Sequence, residues 1–238
     1  MASTYQTNWE NYWTQLFDSG EPAFWDVPTN KELAALLPEL KVAFGGDLPL
    51  VDFGCGNGTQ TLLLAQHFSH VIGVDISSTA IAQARTRAQD GQPQFQLLDA
   101  TSIDAAQALH TTLGDANVYM RGLLHQIQPA DRPSIIHSLQ TLMGTQGKLF
   151  LMELSSQAKQ LFQKLTAQLG APPPQLAQIF KQGIVPADIT PEEIRTFFPE
   201  DQYKIKDMGN ISYTSNTTLP DNTPLLVPCF CMLIMKIR

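Results

Sequence analysis

Leu50-Val51-Asp52-Phe53-Gly54-Cys55-Gly56-Asn57-Gly58-Thr59 runs from a short apolar stretch into three glycines at alternate positions, and a helical pattern follows at Thr61-Leu62-Leu63-Leu64-Ala65-Gln66-His67-Phe68. This is the order of a buried parallel strand that turns sharply into a helix. Glycine permits positive φ and lets a ligand approach the backbone with no Cβ in the way. The first amides of the new helix have no partner within it and are free to bind polar groups. Nucleotide folds hold phosphates on such a turn, but the dinucleotide fingerprint is G-x-G-x-x-G. Here the third glycine, Gly58, comes one residue early, and Thr59 stands at the sixth position.

Outward from the turn, strand and helix alternate, the signature of a doubly wound parallel sheet. Val71–Asp75 is the second strand, and Ser77 caps a helix over Ala80–Ala88. Asp75 ends that strand about twenty residues past the turn, where a nucleotide fold needs a carboxylate for the ribose hydroxyls. A helix-capping or solvated aspartate is the alternative. Phe95–Leu98 is the third strand, followed by Asp99-Ala100-Thr101 and a weak helix from Ala105 to Leu113. Asn117–Met120 leads into Arg121-Gly122-Leu123-Leu124-His125-Gln126-Ile127. A helix from near Pro129 to Gly144 and a fifth strand, Gly147–Leu154, complete the alternation.

The glycine turn, with Asp75 and Asp99 in order at the ends of the next two strands, resembles the class I S-adenosylmethionine-dependent methyltransferases. The resemblance implies an α/β fold: a Rossmann-like seven-stranded sheet, mostly parallel with an antiparallel last strand, and helices on both faces. It also implies a cofactor site. The methionine moiety of S-adenosylmethionine would lie over Asp52, Gly54, Cys55, Gly56, Gly58 and Thr59. Asp75 and Ile76 would take the ribose, Asp99 and Ala100 the adenine, and Met120 and Arg121 the remaining edge. The product would be S-adenosylhomocysteine, and no metal is expected.

In that family the loop after the fourth strand lies under the reactive methyl group. Methylation of planar nitrogens uses an Asn/Asp-Pro-Pro-aromatic turn there, which this chain lacks, and Pro228-Cys229 falls in the last strand rather than in a nucleophile loop. Both absences argue against nucleic-acid methylation. Tyr119-Met120-Arg121-Gly122-Leu123-Leu124-His125 looks instead like small-molecule O-methyltransferases, in which a histidine deprotonates a hydroxyl. Histidine titrates near neutrality, which suits a general base. Two other readings of His125 stay open: a pocket residue, as in related metabolite methyltransferases with a Leu-His-His element, or a structural histidine. Glu153, at the end of the fifth strand, would orient His125 or bind a cationic acceptor. Arg121 would meet the cofactor carboxylate, an acidic acceptor or a surface ion pair.

The flanking segments carry no motif of their own. Residues 1–43 form a helical cap rich in aromatics, with Trp9, Tyr12, Trp13 and Phe17 at the spacing of a short amphipathic helix. It lies over the sheet edge, closes the site, or does both, with Trp13 and Trp25 as candidate substrate contacts. Gly20, Pro22 and Pro28 punctuate the segment, and Thr29-Asn30-Lys31-Glu32 opens a second helix. Residues 44–154 are the cofactor-binding core. Residues 155–200 break the rhythm with helices over Gln157–Leu169 and Gln175–Gln182, then a capping box at Thr190-Pro191-Glu192-Glu193. In the family such an insert is a lid, and Phe162, Leu165, Phe180, Ile184 and Val185 are candidate walls for an organic acceptor. Residues 201–238 read as a closing antiparallel hairpin: Tyr203–Met208, a polar connection, then the apolar Leu225–Met235. A reversed last strand counts against a dehydrogenase.

Bulk properties agree. A chain of 238 residues suits one domain. With 15 basic and 22 acidic residues the net charge is −7, and no Lys/Arg cluster offers a phosphate-backbone partner. No apolar run has transmembrane length and no basic-then-apolar leader opens the chain, so no membrane partner and a cytoplasmic location are expected. Three cysteines build neither a disulfide framework nor a metal spacing. The expected activity is methyl transfer to a small organic acceptor, oxygen favoured, with His125 as base. The alternatives are N-, S- or C-methylation of a metabolite or peptide, and a non-catalytic cofactor-binding subunit. Oligomeric state stays open.

Overall fold

In the computed structural model, which describes residues 3–27, 30–219 and 221–237, the stretch before the glycine turn is a strand, Leu50–Phe53 (β1), with every side chain buried. Beside it lie Val71–Asp75 (β2) and Asn117–Arg121 (β4), both parallel to it. Gln94–Leu97 (β3) and Lys148–Leu154 (β5) extend the parallel array outward. Tyr203–Thr218 (β6) and Pro224–Lys236 (β7) close it as an antiparallel pair, with β7 inserted against β5. The order is β3-β2-β1-β4-β5-β7-β6. The order reverses direction between β1 and β4, and ligands of open α/β sheets bind beyond the carboxyl ends at such a point.

Period-two alternation sends side chains to two cores. Leu50, Tyr119, Phe150 and Met152 pack on one face, under Thr4–Ser19 (α1), Lys31–Ala43 (α2), Ser156–Leu169 (α7) and Pro174–Lys181 (α8). Val51, Phe53, Val118, Met120, Leu149 and Leu151 pack on the other, under Ile103–Leu113 (α5), Arg132–Met143 (α6) and Pro191–Phe197 (α9). Thr59–Leu64 (α3) and Ser78–Arg87 (α4) follow β1 and β2. Ser77 caps α4 by accepting from the Ala80 amide, and Asn30 caps α2 by accepting from Leu33. Pro28, read as punctuation before that helix, and Thr29, read as part of its opening, lie outside the described residues.

Three expectations are corrected. The polar connection after Met208 is strand: β6 runs on to Thr218, bending at Gly209 (φ +83°), where the register with β7 shifts. Its inward positions there are Tyr213, Ser215 and Thr217, all buried, so small polar side chains on the buried face hide the apolar alternation. The aromatic helix is longer than expected, and Leu16 rather than Phe17 completes its buried stripe with Tyr12 and Trp13; Phe17 is 64% exposed. The helix after the glycine turn stops at Leu64 instead of running to Phe68.

Candidate active site

The glycine turn is stitched to β2 as it leaves the sheet, since the Gly54 and Cys55 amides both donate to the Val74 carbonyl at 2.8 and 2.9 Å. Gly56 and Gly58 are required for different reasons. At Gly56 (φ +54°) a Cβ would stand 2.6 Å from the Trp13 ring, which packs against the turn. At Gly58 (φ +80°) it would meet Phe95 at 2.7 Å and Ala84 at 3.0 Å, so the third glycine lets α3 settle on α4 and β3. The turn is also braced by carboxylates. Asp75 accepts from the Gly56 amide at 2.8 Å and the Ser77 amide at 2.9 Å, and burial pushes its carboxyl up. Asp52 accepts from the Thr61 hydroxyl at 2.6 Å; burial raises its carboxyl to about 6, against the opposing pull of Thr61 and Arg121. Asp99 takes the Thr101 amide and hydroxyl on one oxygen.

After β4 the chain makes a single 3-10 turn, Leu124–Gln126, pinned by Glu153. One Glu153 oxygen accepts the Leu123 and Leu124 amides at 2.9 and 2.7 Å, and the other accepts the His125 amide at 3.3 Å and meets His125 Nδ1 at 2.8 Å. Glu153 is fully buried, and its partners among the described residues are these four groups. An ionised carboxylate there requires the proton on Nδ1, which leaves the lone pair on Nε2. Nε2 makes no hydrogen bond among the described residues, and His125 lines the pocket.

The N-terminal segment, α7 and the outer half of β6 roof this edge of the sheet. Trp25 packs on Trp9 (6.0 Å between ring centroids), Tyr12 (5.7 Å) and Trp13 (6.1 Å). Phe24 meets Phe162 of α7 and Tyr213 of β6. Arg121 lies inside, its side chain 9% exposed, pairing with buried Glu32 at 3.2 Å and lying 5.6 Å from the Tyr213 ring. It is therefore no surface ion pair. Burial pushes the Glu32 carboxyl up, with Arg121 pulling it back.

These parts line a pocket that is open to solvent on one side. Its wall brings together Trp13, Trp25, Asp52, Gly54, Cys55, Gly56, Thr59, Asp75, Ile76, Asp99, Ala100, Arg121 and His125. Gly58, Met120 and Glu153 are not on that wall: Gly58 is under Phe95, Met120 is in the sheet core, and Glu153 lies beneath the His125 turn. Of the expected lid residues, Phe162 and Ile184 line the pocket while Val185 is 59% exposed; Leu176 and Ile179 take the places expected of Leu165 and Phe180.

Three lining residues had no signal in the sequence strong enough to single them out. Asp26 accepts from Asn57 Nδ2 at 2.6 Å, and burial pushes its carboxyl up. Tyr213 sits in the stretch that reads as a polar connection. Gln60 is buried in the first turn of α3, and its Nε2 has no partner among the described residues. Its place just after the glycine turn was the one available cue. An orphaned amide donor and carboxylates at the ends of β1, β2 and beyond β3, around one crevice, suit a ligand with ribose hydroxyls, an amino acid end and a heterocycle.

Residues 50–147 match the methyltransferase domain family. Over nearly its whole length the chain is 34% identical to an S-adenosylmethionine-dependent methyltransferase from Anabaena variabilis, covering 98% of this chain and 95% of that one, with a TM-score of 0.91. The fold also resembles magnesium protoporphyrin IX methyltransferase from Synechocystis with bound S-adenosylmethionine, at 16% identity, 98% of each chain and a TM-score of 0.60. An uncharacterized methyltransferase of Schizosaccharomyces pombe is 27% identical over 135 residues, 52% of this chain. That alignment covers 49% of the yeast protein, so the chain spans about half the length of this curated relative. The chain belongs to the S-adenosylmethionine-dependent methyltransferases, and S-adenosylmethionine is its cofactor. No helix among the described residues is long and apolar enough to cross a membrane.

Proposed function

We propose that the protein methylates an oxygen of a small, largely apolar organic acceptor, with His125 as general base. The observation that carries this is the 2.8 Å contact of His125 Nδ1 with the buried Glu153 carboxylate. It holds the proton on Nδ1 and leaves Nε2 free to take one from an acceptor hydroxyl. The bound cofactor supplies an electrophilic methyl group on its sulfonium centre. Because that electrophile needs no activation, the chain's work is to align an acceptor and remove a proton. Phe24, Phe162, Leu176 and Ile179 give the pocket an apolar wall that fits an apolar acceptor body. In this reading residues 1–43 and 155–200 serve as cap and lid over the 44–154 core, with 201–238 as the closing hairpin. Asp75 and Ile76 take the ribose, Asp99 and Ala100 the adenine, and the glycine turn with Asp52 and Gln60 the amino acid end. The three buried free cysteines suit a reducing, cytoplasmic setting.

The test is a panel of phenols, aliphatic alcohols, carboxylic acids, amines and thiols with radiolabelled S-adenosylmethionine, run on the wild type and on His125→Gln. Turnover of a hydroxyl acceptor should fall about 10²- to 10⁴-fold in the variant, the usual range for loss of a general base. S-adenosylhomocysteine should bind both proteins alike. Equal turnover by the two proteins would remove His125 from proton transfer. Turnover of amines or thiols alone would move the reaction off oxygen.

A further inference from the structure

Arg132 is the first residue of α6, and its side chain is 1% exposed, an unusual place for a permanent cation. A buried charge is tolerated where it is paired and its hydrogen bonds are made. Arg132 meets both conditions across three separate segments. Nε donates to the Ile127 carbonyl at 3.3 Å, at the end of the turn that carries His125. Nη2 donates to the Ala187 and Asp188 carbonyls at 3.3 and 2.9 Å, in the link between α8 and α9. Nη1 pairs with Glu193 of α9 at 2.6 Å. Thr190 caps α9 by accepting the Glu193 amide, yet the Glu193 carboxylate is held by Arg132. The capping box expected from the sequence is thus half formed, its acid diverted to the guanidinium.

The same α8–α9 link touches the catalytic turn directly, because the Ala187 amide donates to the His125 carbonyl at 2.6 Å. His125 is therefore held from two sides. Glu153 grips its ring and the turn's amides from the sheet. The link grips its carbonyl from above, and Arg132 fastens that link to Ile127, two residues past His125. Ile184 and Pro186, on the same link, line the pocket. Lysine could not replace this fork, since an ammonium is a point charge whereas guanidinium donors lie in a fixed plane.

We propose that Arg132 is a positioning residue: by locking the α8–α9 link onto the turn after β4, it sets the His125 ring against Glu153 and shapes the adjoining wall. Its consequence for rate rests on the reading of His125 as base, but the positioning itself can be read without turnover. Protein labelled with ¹⁵N-histidine reports ring tautomers through the carbon-bound ring protons, and His125→Gln identifies the His125 signal among the five histidines. The wild type, with S-adenosylhomocysteine as probe ligand, should show His125 protonated on Nδ1. Arg132→Lys and Ala187→Pro, the latter removing the N–H that reaches His125, should lose that pure tautomer signature while binding S-adenosylhomocysteine as the wild type does. Glu193→Gln, which keeps an acceptor for Nη1, should retain it. Should Arg132→Lys fail to fold, Ala187→Pro decides. A lowered melting point with an unchanged His125 tautomer in the folded variants would overturn the proposal and leave Arg132 as a stability element only. Full turnover in His125→Gln would instead remove the base role and leave the positioning result standing.

Discussion

Glu153 receives four hydrogen bonds while fully buried, three from consecutive backbone amides and one from an imidazole. A carboxylate is the one side chain that can accept all four on two oxygens. Glu153→Gln is therefore a severe change despite its equal size. The new NH₂ must face either the backbone amides or His125 Nδ1, and a buried donor left unpaired costs about 1–3 kcal/mol. The expected outcome is a lowered melting temperature and a loss of hydroxyl methylation of about 10²-fold or more. Calorimetry with S-adenosylhomocysteine should show cofactor-site affinity near that of the wild type, because Glu153 lies outside the pocket wall. Unchanged turnover would mean that the ring is held without it. This pairing was one of two roles legible in the sequence for Glu153, from its place at a strand end. Which role holds depended on Cα positions set by the register of β4 against β5.

Among the elements, α1 is strapped across the pocket at two points. Glu10 accepts from the Ser77, Ser78 and Thr79 hydroxyls and from the Ser78 and Thr79 amides, so it supplements the Ser77 cap of α4 from a distant helix. Nearer its other end the Tyr5 hydroxyl donates to Asp131 and accepts from the Gln128 amide. Burial pushes the Glu10 carboxyl up, but the bonds from Thr79, Ser78 and Ser77 outweigh it, and the group sits below its ordinary value of 4.5. A group depressed in the folded state stabilises it above its unfolded pKa and loses that contribution as pH falls through the folded value. Glu10→Gln should therefore melt below the wild type at neutral pH, by about 0.5–2 kcal/mol on the scale of lost caps. The gap should close as the pH drops below 4.5. Thermal scans of both proteins over that range check it, and a gap that persists in acid would assign the effect to shape instead of charge. Periodicity sufficed to find α1 and α6, which carry apolar stripes, whereas α9 was legible from its capping box. Periodicity failed along β6, where Ser215 and Thr217 occupy the buried face, and at Phe180 of α8 and Val185 of the link after it, both exposed in the fold.

At the scale of the whole molecule, all three tryptophans of the chain, Trp9, Trp13 and Trp25, converge on one pocket from the N-terminal segment. Cofactor binding should thus change the intrinsic fluorescence in a saturable way, with Trp13 over Gly56 the main reporter. At about a hundred times its dissociation constant, S-adenosylmethionine or S-adenosylhomocysteine should stabilise the fold by about 2.7 kcal/mol. That corresponds to a rise of about 2–4 °C at this chain length. NAD should produce neither effect. A melting shift without a fluorescence change would mean that the cofactor contacts the glycine turn without disturbing the tryptophan roof.

The sequence by itself determined the parallel core and the cofactor. A strand, a glycine turn, a helix and an acid at the next strand's end are decided by residues adjacent in the chain, where backbone freedom and hydrogen-bond geometry act locally. The packing reason for Gly58, the brace of Asp75 on Gly56, the Arg121–Glu32 pair, the clamp of Arg132 and the contribution of Tyr213 were decided by tertiary structure. Arg121 and Glu32 stand 89 residues apart, and Arg132 and Glu193 stand 61 apart. Such contacts leave no period in a sequence, because burial and partner distance are set by how the elements stack on the sheet.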